Sequence, residues 1–419
     1  MQHQTTLTQQ ALIAGATLGI LASILLLRAG EPLLISATPY EHIAGALGPT
    51  PTMYQHLLGI IISLSSPLIA SISLPLILGA ISAVLFANLL GNLGLPNRKQ
   101  LIGVGILILS PAFINTSIIS DSQGLLLALQ LAAANLLLTN TLQSRAIASI
   151  TSAIIGTFGA THLIAIFGFA IMRYHDDPKT LLRYILPTLL LTAALITIVQ
   201  PTTIPPHLTN PISDLGGEGI TIFAAALAII GIINLLSHQP AMASALIIST
   251  PLSLLWADTL IYAALITSGA AAHGITIILS TRWQLQTLKQ YTLLIIACGI
   301  IFGTFSYAMR LSHAEPDHQM MSALAALRIH ADENSIVVTE HADTPYVTSI
   351  TGLRAITDPS LLEASTIASA TETLRAHNIT HIYLSSRSSN RGIREPLQDT
   401  SAFISIYNDG SYAIWTRTQ

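Results

Sequence analysis

The stretch that decides the fold is SPLIASISLPLILGAISAVLFANLLG, residues 66–91, which has no charged side chain anywhere along its length. About 20 consecutive apolar residues are enough for a helix to cross the hydrocarbon core of a bilayer. The whole chain shares this character, because only 9% of its 419 residues are charged and 51% are hydrophobic. A soluble domain averages about 25% charged residues. The sequence therefore predicts a polytopic α-helical membrane protein.

The apolar runs predict about 11 spans. They lie near residues 9–28, 66–91, 101–118, 122–140, 146–158, 160–172, 184–200, 219–237, 240–256, 259–281 and 291–309. The short runs 146–158 and 160–172 meet at a glycine-containing link and could instead form one broken helix. The first run could be a cleaved signal peptide, but no Lys or Arg precedes it and it is long enough to span, which favours a retained helix.

The distribution of Lys and Arg predicts which loops face the cytoplasm, since cytoplasmic loops carry an excess of both. The basic loop residues all lie on the cytoplasmic side only if the chain crosses the membrane twice between residues 146 and 172. These residues are Arg98, Lys99, Arg145, Arg173, Lys179, Arg183, Arg282 and Lys289. The opposite loops 29–65, 119–121 and 201–218 contain neither residue. Arg28 and Arg310 are exceptions at outer helix ends, from which a long side chain can reach the interface. We expect a multi-pass protein of the cell membrane with an inside N-terminus and an extracytoplasmic C-terminal domain.

The composition changes after residue 310. Residues 1–310 hold ten Lys and Arg against eight Asp and Glu, whereas the last 109 residues hold seven against twelve. We therefore predict a membrane domain over 1–310 and a small α/β domain over 311–419. The predicted helices of this domain are 317–330, 344–352, 359–376 and 391–399, and its predicted strands are 335–339, 353–358, 380–386 and the hairpin pair 402–408 and 411–417. Alternating strands and helices are typical of a layer with a parallel core.

Several functional classes are disfavoured. The net charge of −3 gives no reason to expect a nucleic-acid partner. Cys298 is the one cysteine, so the chain has neither a disulfide framework nor a cysteine metal site. The predicted spans carry no Asp, Glu, Lys or Arg at mid-depth, and ion-coupled transporters need such residues. A dinucleotide site is unsupported, because no helix of the tail opens with Gly-x-Gly-x-x-Gly.

Carboxylates gather instead at or near the predicted outer face: Glu31, Glu41, Asp121, Asp214, Glu218 and Asp258. Glu41 lies in SATPYEHIAGALGPTP, residues 36–51, which predicts a short interfacial helix over 39–47. Thr38 at the N-cap, Pro39 at the first helical position and Glu41 at the third form a capping-box pattern. Local sequence alone thus favours a capping role for Glu41 over a chemical one.

The other outer acids have similar alternatives. Asp121 stands where the fourth span begins, so it could simply cap that helix. Asp214 and Glu218 lie in a glycine-rich loop that is either a linker or a lid over a site. His162 falls at an outer turn and could be an ordinary hydrogen-bonded polar residue. Three separate segments nevertheless present oxygen ligands to one face, and Mg²⁺ or Mn²⁺ prefers such ligands.

The order of these features resembles that of GT-C class integral-membrane glycosyltransferases, particularly archaeal relatives of the catalytic subunit of oligosaccharyltransferase. The similar segments are TPYEHIAGAL (38–47), SDSQG (120–124), Ser213-Asp214, the run 281–307 and the tail segment 320–359. The resemblance implies a GT-C-like fold and a sugar donor that is linked to polyprenyl phosphate and lies among the membrane lipids. It also implies a protein or lipid acceptor and, in many members of the class, a divalent cation (Mg²⁺ or Mn²⁺).

Residue roles follow from the same resemblance. It implies that Glu41 and Asp121 are the catalytic acids and that Asp121 and Asp214 bind the metal. It further implies that Tyr40, His42, His162 and Glu218 contact substrate. Two departures separate the chain from the family pattern: Gln123 stands where a second acid would complete a metal pair, and TEHADTPYV (339–347) replaces the Trp-Trp-Asp-Tyr-Gly signature. A non-catalytic scaffold or lipid-binding protein with the same fold is therefore the alternative.

Overall fold

The computed structural model describes residues 6–47, 51–139, 141–174, 177–196, 217–238, 243, 246–247, 260–357, 366–385, 393, 397 and 403–417. The chain divides into two compact units. A membrane unit comprises Met1–Leu27 and Thr50–Ser312, and a C-terminal unit comprises Arg28–Pro49 and His313–Gln419. The C-terminal unit thus combines residues 313–419 with segment 28–49, and the predicted division of the chain at residue 310 stays a prediction.

The described part of the membrane unit is helical. Within the described residues its helices are α1 (Leu7–Leu26), α3 (Met53–Leu64), α4 (Pro67–Asn92), α5 (Asn97–Ile108), α6 (Pro111–Ile118), α7 (Ser122–Thr139), α8 (Leu142–Gly156), α9 (Ala160–Tyr174), α10 (Pro178–Ile196), α11 (Ile222–His238), α12 (Leu260–Ser280) and α13 (Gln286–Ser312), while α2 (Thr38–Ala46) belongs to the C-terminal unit.

Six of the described helices are long and apolar enough to cross a membrane: α1, α4, α7, α10, α12 and α13. The count rises to seven if α5 and α6 form one span, but these two helices are bent by 67°. We had predicted a single run over 101–118. Pro111 cannot continue a helix because it lacks an N–H donor, and it instead occupies the first position of α6. The predicted figure of about 11 spans is not confirmed.

The remaining predicted spans correspond to shorter helices or lie outside the described residues. The pair 146–158 and 160–172 appears as α8 and α9, each of 15 residues, with Gly159 at φ 144° between them. The run 219–237 appears as α11, which has 17 residues. Most of the predicted span 240–256 lies outside the described residues.

Close helix packing in the membrane unit depends on small residues. A Cβ atom added at Gly231 of α11 would run into the backbone carbonyl of Ala270 on α12, and one added at Gly274 would run into the carbonyl of Leu227. The two glycines therefore let the two helix backbones approach each other, as small residues commonly do in membranes. Among the described residues, a buried apolar cluster that includes residues of both helices also contains Leu90, Leu107, Phe113, Leu127 and Ala263.

The C-terminal unit contains a five-stranded sheet of order β2-β1-β3-β5-β4. Its strands are β1 (Ile336–Val338), β2 (Arg354–Ile356), β3 (His381–Ser385), β4 (Phe403–Asn408) and β5 (Tyr412–Arg417). As predicted, β1 runs parallel to β2 and β3, whereas β4 and β5 form an antiparallel hairpin. The described helices are α14 (His318–His330), two helical turns over Thr344–Tyr346 and Val347–Thr351, and α15 (Ile367–Ala376). The predicted helix 391–399 lies largely outside the described residues.

Candidate functional site

Glu41 lies on α2, and its predicted capping role is wrong. The helix begins at Thr38, its N-cap residue is Ala37 in the helical region (φ −72°, ψ −31°), and no side chain caps it. An N-cap side chain reaches the following N–H groups from an extended backbone, which Thr38 does not have because it is already helical. The Glu41 side chain is exposed. Its carboxylate is therefore not committed to the start of its own helix.

The neighbours of Glu41 attach α2 to the rest of the C-terminal unit. Tyr40 and His42 are each 8% exposed. The Tyr40 ring packs edge-on against Tyr346, with ring centroids 5.4 Å apart, and the Tyr40 carbonyl accepts a hydrogen bond of 2.9 Å from Ser349 Oγ. Burial raises the pKa of Tyr40 to about 12, although the charge of Arg28 opposes the rise. These contacts hold the turn that carries Glu41.

Tyr40 and Tyr346 each end a Thr-Pro-Tyr tripeptide, which occurs at 38–40 and again at 344–346. In both places the threonine starts a helical segment and the proline lies in its first turn, at α2 and at Thr344–Tyr346. Sequence reasoning missed this pairing, although the repeated tripeptide was a visible signal.

Arg28 is a second residue whose role was predicted wrongly. We expected its side chain to reach the interface from the end of the first span, but it is only 1% exposed. Its Nε donates to the carbonyl of Pro32, and its Nη2 donates to the carbonyl of Pro316 at 2.5 Å. Burial lowers the pKa of Arg28, and the nearby Glu31 carboxylate partly offsets this effect. The C-terminal unit consists of segment 28–49 and residues 313–419. Arg28 therefore joins the start of the first of these segments to Pro316, near the start of the second.

Asp121 stands immediately before α7, as predicted, and is half-buried. Its Oδ1 accepts hydrogen bonds from the Ser122 backbone N–H at 2.5 Å and from Ser122 Oγ at 3.1 Å. The carboxylate thus interacts with the N-terminus of α7, where negative charge is favourable. The helix-terminal role that we weighed for Asp121 is present, and it fixes the orientation of the carboxylate.

Sequence reasoning also missed Tyr54, which lies on α3 of the membrane unit. The Tyr54 side chain is fully buried, and its hydroxyl lies 2.7 Å from Ser120 Oγ, in the residue before Asp121. Burial raises the pKa of Tyr54 above its ordinary value; the Ser120 hydrogen bond opposes this rise, and the Asp121 charge adds to it. A tyrosine in an apolar stretch gave no signal of this contact in the sequence.

His162 and Glu218 occupy different environments in the membrane unit. His162 is 1% exposed, its Nδ1 lies 2.9 Å from the Tyr262 hydroxyl, and its carbonyl accepts from Gln130 Nε2 at 3.4 Å. This arrangement matches the alternative reading of a hydrogen-bonded core histidine. Glu218 is exposed.

The predicted metal ligands are not assembled by the described residues. Among them, no three side chains of His, Cys, Asp or Glu lie close enough together to hold a metal ion. Asp214 lies outside the described residues, so its pairing with Asp121 stays a prediction. Of the two predicted metal ligands, the described part of the chain therefore contains only Asp121, and its described residues do not by themselves fit a divalent cation.

The membrane unit also contains an apolar groove of about 590 Å³ between α1 and α13. Its walls include Gly19 and Ile24 on one side and Ile301 and Phe305 on the other. Two hydroxyls on the walls are bonded to helix carbonyls: Ser23 Oγ donates to Gly19, and Thr304 Oγ1 donates to Leu109 and Ile300. The groove therefore offers an apolar surface.

No protein-family model matches the chain, and no curated protein matches it by sequence. Solved structures do match. The oligosaccharyltransferase AglB of Archaeoglobus fulgidus, in complex with an inhibitory peptide and a dolichol-phosphate, matches 96% of this chain and 74% of its own with a TM-score of 0.57 and 12% identity. The same enzyme in complex with Zn and sulfate matches with a TM-score of 0.58 and 12% identity, over 96% of this chain and 73% of its own.

ArnT of Cupriavidus metallidurans bound to undecaprenyl phosphate matches 97% of this chain and 98% of its own, with a TM-score of 0.57 and 9% identity. AglB and ArnT are both GT-C glycosyltransferases. At such low identity the likeness shows the fold, so the GT-C-like architecture expected from the sequence is confirmed.

Proposed function

We propose that this chain is a membrane glycosyltransferase that moves a sugar from a polyprenyl-phosphate-linked donor to a protein or lipid acceptor at the extracytoplasmic face. One observation carries the proposal: almost the whole chain shares its fold with one protein in complex with a dolichol-phosphate and another bound to undecaprenyl phosphate. Both ligands are polyprenyl phosphates. The likeness therefore supports the class of donor and leaves the acceptor open.

Glu41 is the base in this proposal. The acceptor's oxygen or nitrogen attacks the anomeric carbon, the bond between that carbon and the phosphate oxygen breaks, and the acceptor's proton passes to a carboxylate. Glu41 is exposed and makes no cap bond. Tyr40 and His42 are mostly buried beside it, so they orient α2 in this scheme rather than contact substrate.

Asp121 is the second carboxylate of the proposal, and its bonds to Ser122 give it one orientation. Glu218, which is exposed, is proposed as a contact to polar groups of the substrate. A divalent cation held by Asp121 with Asp214 stays a separate proposal, and no step is assigned to it. The apolar groove between α1 and α13 offers a surface on which lipid chains can lie.

The test is donor consumption by the purified full chain in lipid nanodiscs, with a polyprenyl-phosphate-linked sugar and with or without Mn²⁺. Removing a positioned acid–base group typically costs a factor of about 10²–10⁴ in rate. We expect Glu41→Gln and Asp121→Asn each to lower kcat by about 100-fold or more. Glu372→Gln is the matched control for Glu41→Gln, because both acids are exposed in the C-terminal unit. Asp332→Asn removes a further exposed acid, and both control variants should leave kcat unchanged. A wild type that consumes no donor, or full activity in both site variants, overturns the proposal.

A non-catalytic protein with the same fold is the second candidate, and the contact between Asp121 and Ser122 favours it. A carboxylate bonded to the first N–H of α7 already has a structural role. This candidate expects the wild type to bind polyprenyl phosphate without consuming a sugar-linked donor, and Asp121→Asn to lower thermal stability without changing lipid binding.

A further inference from the structure

The placement of Tyr54 suggests a role beyond packing. Helix α3 begins with a capping box, in which Thr52 Oγ1 accepts from the Gln55 N–H and the Gln55 side chain accepts from the Thr52 N–H. Tyr54 and Leu58, one turn apart, are the buried residues of α3. A phenylalanine would supply the same apolar area at position 54. The hydroxyl therefore needs a separate explanation.

The hydroxyl of Tyr54 lies 2.7 Å from Ser120 Oγ, and Ser120 is itself only 1% exposed. A buried hydroxyl is costly unless it is hydrogen-bonded, and these two buried hydroxyls bond to each other. Ser120 lies in the link between α6 and α7 and directly precedes Asp121. The bond therefore attaches α3 to the turn that carries the proposed active-site carboxylate.

The opposite side of that turn is fixed as well. Asp121 Oδ1 accepts from both the backbone N–H and the hydroxyl of Ser122. Ser120 and Ser122 thus flank Asp121, and each makes a side-chain hydrogen bond. The Asp121 carboxylate is thus bonded by Ser122, while the preceding residue of the same turn is attached to α3 through Tyr54. A carboxylate on a turn that is fixed in this way is pre-organised, which is what catalysis by positioning requires.

We infer that Tyr54 is a positioning residue for Asp121, acting through its hydrogen bond to Ser120 Oγ. The inference rests on the proposed function, because Asp121 has a catalytic role only if the chain transfers sugar. Tyr54 contacts no substrate in this scheme. Its hydroxyl restricts the range of positions that the Asp121 turn can adopt.

The experiment compares four variants of the full chain in nanodiscs: Tyr54→Phe, Ser120→Ala, the double variant, and Ser120→Thr, which keeps a hydroxyl. For each we would measure kcat and KM for the polyprenyl-phosphate-linked donor and, on the same preparation, the unfolding midpoint. Loss of positioning should lower kcat by about tenfold while leaving KM within about twofold. Ser120→Ala should match Tyr54→Phe, and Ser120→Thr should retain most of the wild-type kcat.

The double variant is the decisive measurement. Because each single change breaks the same bond, we expect the double variant to lose no more kcat than the larger single loss. Tyr291→Phe removes a hydroxyl from a tyrosine that is 64% exposed and should leave kcat unchanged. Losses that multiply, or single variants with wild-type kcat whose only defect is a lower unfolding midpoint, overturn the inference. A wild type without transfer activity overturns the proposed function, and this inference falls with it.

Discussion

At Glu41 and Asp121 the same kind of side chain stands near the start of a helix, yet only one of them contacts the helix terminus. The difference comes from backbone geometry. Ala37 is already helical, so the start of α2 offers no extended N-cap position, whereas Asp121 binds the first N–H of α7. Residue spacing can suggest a cap, but the dihedral angles of one residue determine whether the cap forms.

A first residue-scale prediction concerns His381 at the start of β3, which is 6% exposed. Burial lowers the pKa of His381, Asp332 opposes this shift, and His330 adds to it. The unfolded chain therefore binds this proton at a higher pH than the folded chain does. The contribution of His381 to stability is complete above about pH 6.5 and declines as the pH falls below that value.

We therefore expect the unfolding midpoint of the detergent-solubilised full chain to fall further between pH 7.5 and 5.5 in the wild type than in His381→Gln. The expected difference is about 2 °C. His341→Gln, which changes an exposed histidine, should keep the wild-type pH dependence. Equal slopes in the wild type and His381→Gln would contradict the prediction.

At the scale of elements, the long apolar helices were predicted closely, because hydrophobic length alone defines a span. Runs 66–91, 122–140 and 259–281 correspond to Pro67–Asn92, Ser122–Thr139 and Leu260–Ser280. The bend between α5 and α6 was missed, although Pro111 is visible in the sequence. An apolar run continues through a proline, but the helical hydrogen bonds do not.

The contact between α11 and α12 gives an element-scale prediction. Gly231→Val would place side-chain atoms against the carbonyl of Ala270, a backbone group that cannot move without shifting its helix. We expect a loss of about 2 kcal/mol or more in stability, seen as a lower yield of monodisperse protein and a lower unfolding midpoint. Gly105→Val is the matched control, because a Cβ at Gly105 meets no atom within 4 Å. A Gly231→Val protein with the wild-type midpoint would show that the helices do not approach as described.

At the scale of the whole molecule, the orientation in the membrane is a prediction from loop charges. We expect a cysteine at position 333 to face the outside and one at position 179 to face the cytoplasm. In a Cys298→Ser background, Glu333→Cys should react with a membrane-impermeant maleimide in intact cells, and Lys179→Cys should react only after permeabilisation. Both native residues are exposed, so accessibility within the protein does not limit labelling. The reverse pattern would invert the topology and move the proposed site to the cytoplasmic face.

The sequence by itself determined the membrane class, the positions of the long helices and the α/β character of the tail. These features depend on local hydrophobicity and on turn chemistry, which neighbouring residues define. Only the tertiary structure decided that segment 28–49 folds with the C-terminal unit through Arg28 and Tyr40, and that Tyr54 reaches Ser120 beside Asp121. Such contacts join residues 66 positions apart or 288 positions apart. Local periodicity carries no information about pairs at that separation, because only the folded chain brings them together.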